Sequence, residues 1–196
     1  MRRTNGALSK RRMVQMWLRV VTMIEVRKAV AEDAEQIAAI GIRLWERAVP
    51  HWGEDIDPLR EQVHGIYRDA SKDYWNTALV AVSNTVILGW VFREDMDFRV
   101  AFLNVDPDCC QRGVATALLN AVEAEIKNDG FDFAEIDLHA RNRTGISFFE
   151  KSGYIVEARS TKYSTTLLKD IEKVTMRKCL ERFVSQNKPA AFALQR

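Results

Sequence analysis

The sequence predicts a single domain of the α/β or α+β class. Runs with the two-residue period of strands alternate along the chain with runs at helical spacing. The composition agrees, with 47% of the 196 residues hydrophobic, 29% charged, nine glycines and only four prolines. Fibrous, collagen-like and wholly disordered chains are excluded on those figures. A compact chain of this length removes roughly 70% of its unfolded-state surface from water, so one core can hold it without disulfides or a metal.

The elements follow in order. Ile24 to Val30 reads as a strand. Ala34, Ile37, Ala38, Ile40, Leu44 and Trp45 then describe an amphipathic helix, with Glu32 and Asp33 complementing its dipole and Val49-Pro50 ending it. A polar segment leads through Pro58 into a second helix carrying Leu59, Val63, Ile66 and Tyr67. Thr77 to Val82 and Val86 to Phe92, joined by Ser83-Asn84-Thr85, form an antiparallel hairpin. Arg99 to Val105 supplies another strand. Val114, Leu118, Val122 and Ile126 define the clearest helix, stopped at Gly130. Ala134, Ile136 and Leu138 alternate with Glu135, Asp137 and His139 as a half-buried strand, before a short helix from about Gly145 to Lys151. Tyr154 to Thr165 and Glu172 to Leu180 close the domain as a strand pair.

The net charge is +2, which gives no reason to expect nucleic acid or an acidic membrane as the main partner. Its distribution is uneven. Residues 1–22 hold Arg2, Arg3, Lys10, Arg11, Arg12 and Arg19 and no acid, which leaves 23 basic residues against 27 acidic in the remainder. That head lacks the apolar core of a secretory signal and reads as a flexible extension, with a targeting peptide as the alternative. Cys109, Cys110 and Cys179 suit neither a disulfide framework nor a zinc pair and point to a reducing cytoplasm; no metal is expected. No run approaches the roughly 20 apolar residues of a membrane span.

The chemistry concentrates in Val105-Asp-Pro-Asp-Cys-Cys-Gln-Arg-Gly-Val-Ala-Thr116, a strand ending in a tight loop that opens onto a helix. The first N–H groups of a helix have no internal partner and carry the positive end of its dipole, so such a junction suits a phosphate. Gly113 permits close approach, Ala115 keeps the next turn clear, and Arg112 adds a charged donor. Neither GxxxxGK[ST] nor GxGxxG is present, which removes the main support for ATP or a nicotinamide cofactor. Taken alone, the segment is equally a plain strand, loop and helix.

These residues resemble the GNAT N-acetyltransferases. Leu103-Asn-Val-Asp-Pro107 followed by Gly113 and Ala115 looks like that family's pyrophosphate loop and preceding strand. Asn142-Arg-Thr-Gly-Ile-Ser-Phe-Phe-Glu-Lys-Ser-Gly-Tyr154 is similar to its second motif at unchanged spacing. The resemblance covers residues 24–181. It implies a GNAT domain over 23–184, with residues 1–22 as the basic extension and 185–196 as a tail. It further implies a mixed, mostly antiparallel sheet, flanked by helices and splayed between the strands ending at Val105 and Leu138, with acetyl-CoA in the gap. By the family pattern the main chain of Leu103 and Val105 holds the pantetheine arm and thioester. Gln111, Arg112, Gly113, Val114, Ala115 and Thr116 cradle the pyrophosphate, and Asn142 and Phe149 approach the cofactor from the other side.

Two positions depart from that pattern. Cys110 stands where the family usually has Gln or Arg, and Phe149 replaces the frequent Tyr thought to protonate the leaving thiolate. Phenylalanine has no proton to give. Catalysis remains chemically accessible, because positioning, a main-chain donor at Val105 and a tolerable thiolate leaving group supply most of what acetyl transfer needs. Cys110 as a covalent nucleophile is the less favoured route. For the base, Glu94, Asp97, Glu135, Asp137 and His139 are candidates, His139 having the best-suited ordinary pKa and Glu135 accompanying it. Each is equally readable as a solvated strand-face residue, as are the donors Tyr154, Tyr163 and Ser147. Trp45, His51, Trp52, Glu54, Asp55 and Asp57 cluster where a cationic acceptor could bind, or where tryptophans merely plug a helix.

The resulting expectation is an acetyl-CoA-dependent transfer to a primary amine of a small molecule or peptide by direct attack. A non-catalytic acyl-CoA-binding module is the alternative, and a nucleic-acid factor using the basic arm a third. No membrane or nucleic-acid partner is expected, and a homodimer is left open.

Overall fold

The computed structural model describes residues 24–93 and 97–180. The expected extension, the tail from residue 185 and the candidate base Glu94 lie outside the described residues. The elements are β1 (Glu25–Lys28), α1 (Ala34–Ala48), α2 (Arg60–Tyr74), β2 (Ala78–Ser83), β3 (Val86–Arg93), β4 (Val100–Val105), α3 (Val114–Asn128), β5 (Phe133–His139), α4 (Arg143–Lys151), β6 (Ile155–Ser164) and β7 (Lys169–Cys179).

The strands form two antiparallel sheets, β1-β2-β3-β4 and β5-β7-β6. They meet at a parallel bridge between Arg99 and Glu135, where the Glu135 N–H donates to the Phe98 carbonyl at 3.0 Å. Beyond that point β4 and β5 run side by side without ladder pairing among the described residues. The expected splay is therefore present.

Burial explains why the halves nevertheless hold together. The apolar stripe of α3, comprising Val114, Leu118, Leu119, Val122 and Ile126, packs in one cluster with Leu79 and Val91 of the first sheet and Ile136, Val174 and Met176 of the second. A single helix face thus spans both sheets. On the opposite side α1 seats Ile37 and Ile40 against Val80, Val82 and Trp90, and the Trp90 indole N–H donates to the Ile37 carbonyl at 2.9 Å. A third cluster joins Trp45, Val49, Ile56 and Val63 to Leu167 and Ile171 of the β6–β7 region. Gly41 makes the α1–α2 crossing possible, since a Cβ there would lie 2.6 Å from the Tyr67 ring.

The start of α1 shows local chemistry at work. Asp33 accepts from the Val30 N–H at 2.9 Å and from both terminal nitrogens of Arg27, at 2.6 and 3.0 Å. The Arg27 hydrogen bonds hold the Asp33 carboxyl below its ordinary range, outweighing burial.

The decisive irregularity is in β4. Phe92 faces Phe102 and Arg93 faces Val100, which leaves Ala101 as an extra residue on β4. After this bulge Leu103 and Val105 pack toward the α3 core, whereas Asn104 is paired with Trp90 on the α1 side.

Candidate functional site

The site begins with the main chain of β4. The Asp106 N–H donates to the Leu88 carbonyl at 2.8 Å, so by the alternation of an antiparallel ladder Asp106 and Asn104 direct their peptide groups at β3. Leu103 and Val105 therefore turn theirs the other way, into the gap. Gly89 sets how closely β4 approaches β3, because a Cβ on it would fall 2.6 Å from the Asn104 carbonyl oxygen.

The chain then turns into α3. Asp106 Oδ1 accepts from the Asp108 N–H at 3.1 Å, its carbonyl accepts from Cys109, and its other oxygen pairs with Arg43 of α1. Gln111 and Gly113 both have positive φ, 62° and 82°, which bends the loop sharply. No side chain caps α3, and nothing lies within 4 Å of the position a Gly113 Cβ would take. Val114 is buried and anchors the first turn; Gln111, Arg112, Gly113 and Thr116 are exposed. Arg112 has no hydrogen-bond or ion-pair partner among the described residues. Among the described residues the helix entrance is open. Burial and the nearby Asp106 push the Cys109 thiol up, while Cys110 is exposed.

Across the gap, β5 presents Glu135, Asp137 and His139 on its α1-facing side, and each is engaged. Glu135 sits at the bridge itself, at the closed end of the splay, with Arg177 Nη2 at 2.7 Å; Arg177 also pairs with Glu157. Asp97 is at the same closed end and accepts from the Arg99 N–H at 2.6 Å. Asp137 is held by Lys162 Nζ at 2.7 and 2.9 Å and by Thr175 Oγ1 at 2.6 Å. Burial alone would raise its carboxyl, but those bonds prevail and hold it below the ordinary range.

His139 is the most constrained of the three. Its ring is 7% exposed and stacks on Trp52 with centroids 5.0 Å apart. The Arg141 N–H donates to Nδ1 at 3.0 Å, so the neutral ring carries its proton on Nε2, which faces Glu54 Oε1 at 3.4 Å. On that tautomer the ring's one lone pair accepts from the Arg141 N–H. Of the two residues expected as bases, Glu135 thus has one oxygen bonded to Arg177, 42 residues away, and His139 sits between the Arg141 N–H and Glu54, 85 residues away.

Of the six residues expected beside the acceptor, only Trp52 and Glu54 reach β5. Glu54 also accepts from Lys169 Nζ at 2.6 Å, and that bond, ahead of the one to His139, holds its carboxyl below the ordinary range. Trp45 is a core residue whose indole donates to the Thr166 carbonyl at 3.0 Å. His51, Asp55 and Asp57 serve local turns: His51 bonds the Arg47 carbonyl, Asp55 accepts from the Asp57 N–H, and Asp57 pairs with Arg60. Clefts of about 300 Å³, lined by Arg43, Arg47, Asp106 and Asp108, and about 140 Å³, lined by Glu54, His139, Arg141 and Lys169, flank the ends of β4 and β5.

The second motif has a structural share. Asn142 caps α4, its Oδ1 accepting from the Gly145 N–H at 3.0 Å. A Cβ at Gly145 would lie 2.6 Å from Asn142 Nδ2, so glycine makes room for that cap. Phe149 is only 3% exposed and packs edge-on against Phe148 and Tyr154, inside the core rather than along the gap. Tyr154 is also buried, with its hydroxyl unpartnered and its pKa pushed far up, first by burial and then by Glu123. Ser147 is half-buried on α4, and Tyr163 is exposed on β6. The sequence reading missed Arg141, Lys162, Lys169 and Thr175: Lys162 and Thr175 meet Asp137 of another strand, whereas Lys169 and the Arg141 side chain meet Glu54 and the Trp52 carbonyl in the segment after α1. It also missed Asn104, although a lone amide in Val-Ala-Phe-Leu-Asn-Val is a legible signal.

The domain is thus two sheets parted along two parallel strands, with an uncapped helix following the first. The family model for the acetyltransferase (GNAT) domain matches residues 32–180, and the chain belongs to that family, whose acetyl donor is acetyl-CoA. Solved structures agree on the fold. A GCN5-related N-acetyltransferase from Rhodopseudomonas palustris is 24% identical, with TM-score 0.67 over 82% of this chain and 98% of that one. The PaiA N-acetyltransferase of Thermoplasma acidophilum, solved in complex with coenzyme A, is 19% identical with TM-score 0.66 over 81% and 99%. YncA from Salmonella typhimurium, a putative acetyltransferase solved with acetyl-CoA, is 15% identical with TM-score 0.59 over 85% and 99%. No curated protein matches the chain. Among the described residues no cluster of potential metal ligands occurs, and no helix is long and apolar enough to cross a membrane.

Proposed function

We propose that the protein transfers the acetyl group of acetyl-CoA to a primary amine of a small molecule or peptide by direct attack. The observation that carries this reading is the pair of unclaimed peptide groups at Leu103 and Val105, facing a gap that ends at the uncapped start of α3. The peptide-like pantetheine arm can pair with those groups as an added strand. The N–H groups from Gln111 to Thr116, with Arg112, meet the pyrophosphate. The Val105 N–H faces the thioester oxygen, a contact that typically contributes about 2.7–4 kcal/mol as negative charge develops there.

Proton handling is left to solvent. Asp137, Glu135 and His139 are occupied by Lys162, Arg177 and Arg141 respectively, and Phe149 cannot protonate the thiolate. The amine then reacts as its unprotonated fraction. We expect kcat/KM to rise with pH up to the pKa of the acceptor amine, without levelling between pH 6 and 7, in a stopped assay of CoA release.

The engaged bases and buried Phe149 also favour a second reading, a binding module without turnover. Incubation with acetyl-CoA and a panel of polyamines, amino acids, aminoglycosides and peptides, read by mass spectrometry, separates the two. An acetylated amine supports the enzyme. Thermal stabilisation by acetyl-CoA with no product from any amine supports the module.

A further inference from the structure

Asn104 stands out among the polar residues of the strand that borders the gap. It is 8% exposed, its side chain makes no hydrogen bond, and Nδ2 is buried without a partner. Its neighbours set the amide apart from ordinary packing. It is paired directly with Trp90, whose indole is fixed to α1, and it precedes Val105 on the strand that edges the gap. An apolar residue would fill this place without leaving an orphaned donor.

Orientation makes the unused amide useful. The Val105 N–H points sideways, into the gap, because the ladder with β3 turns alternate peptide groups outward. The Asn104 side chain leaves the sheet on its α1 face, roughly at right angles to that direction. An oxygen held at the α1-side lip of the gap can therefore receive both donors. Oδ1 and Nδ2 exchange by a half-turn of the carboxamide, and no protein partner holds either orientation, so the amide can present N–H to an arriving oxygen. The bulge at Ala101 creates this arrangement: with regular pairing from Val100 onward, Asn104 would fall on the other face.

We propose that Asn104 is a second hydrogen-bond donor to the acetyl carbonyl oxygen, acting beside the Val105 N–H. The inference rests on the acetyl-CoA reading above. During transfer the amine nitrogen forms a bond to the carbonyl carbon and the carbonyl π electrons move onto oxygen, where the two donors meet them. Collapse restores the carbonyl, breaks the C–S bond and releases CoA thiolate, while the nitrogen loses a proton to water.

The test uses the full chain, its Asn104→Leu and Asn104→Ser variants, and acetyl-CoA carrying ¹³C at the acetyl carbonyl. Infrared difference spectra of the bound thioester read the hydrogen bonding directly. In the wild type the ¹³C=O stretch should lie below its position in water, and in Asn104→Leu it should move back up. Coenzyme A affinity by calorimetry should stay within about twofold. Turnover should fall about 10²-fold in kcat, the size expected for one such donor, with acceptor KM unchanged. Asn104→Ser should recover part of both signals, while the melting temperature of Asn104→Leu should be equal to the wild type's or higher. An unmoved stretch with acetyl-CoA still bound overturns the proposal. A rise in acceptor KM alone also overturns it, by assigning Asn104 to the acceptor. Failure of the wild type to bind coenzyme A or acetyl-CoA would overturn the acetyl-CoA reading itself, and the inference with it.

Discussion

The two strands that border the gap lead into two helices that begin in opposite ways. β5 passes into α4 through Asn142, whose side chain satisfies the Gly145 N–H, and the neighbouring strand-face groups Asp137 and His139 are tied to Lys162, Thr175, Arg141 and Glu54. β4 passes into α3 through Gly113 with no side-chain cap, and the peptide groups of Leu103 and Val105 face away from their only ladder partner. One wall is closed on itself and the other has donors to spare. Unpaired main-chain donors are costly unless something meets them, and this asymmetry is what the proposal uses in assigning the cofactor to the β4 wall.

Substitutions can break or sharpen this contrast. The largest effect is expected from Gly89→Val. Its side chain would collide with the main chain at Asn104 and Val105, so β4 must shift; displacement by about 1 Å costs roughly 10²-fold in turnover, read as kcat/KM, alongside a lower melting temperature. Gly113→Glu comes next. It adds negative charge at the α3 entrance and a side chain at φ 82°, and should weaken coenzyme A by about tenfold or more in a calorimetric titration. An unchanged affinity there would remove the pyrophosphate from this loop.

Asn142→Ala probes the closed wall. It should lower stability by about 1 kcal/mol in denaturant unfolding, the usual value of an N-terminal cap, and leave coenzyme A affinity within about twofold. A large affinity loss would mean that the second motif also grips the cofactor. The smallest effect belongs to His139→Asn, which keeps an acceptor for the Arg141 N–H. Turnover should remain within about threefold and the pH profile should not change shape, whereas loss of a general base costs about 10²–10⁴-fold.

Much of this molecule was legible in its residues. The period of Val114, Leu118, Val122 and Ile126 marked α3, the turn residues marked the β2–β3 hairpin, and the strand-loop-helix junction marked the helix entrance, while the splay was implied by the family resemblance of two spaced motifs. Those signals are local, or repeat at spacings set by backbone geometry. The engagement of the candidate bases was not legible, for the complementary reason. Glu135, Asp137 and His139 alternate as a half-exposed strand should, but the groups that occupy them arrive from Glu54, Lys162, Thr175 and Arg177, up to 85 residues away in sequence. Trp45 likewise had the composition of a recognition residue and the surroundings of a core one.

Hydrophobic rhythm and turn chemistry were enough to determine the elements, and the resemblance carried by two spaced motifs was enough to point to the family. Only the tertiary structure decided which polar atoms are already spoken for and which way β4 faces after Ala101. The reason is physical: strand register and ion pairing are contacts between segments far apart along the chain, and no single stretch of residues contains both partners.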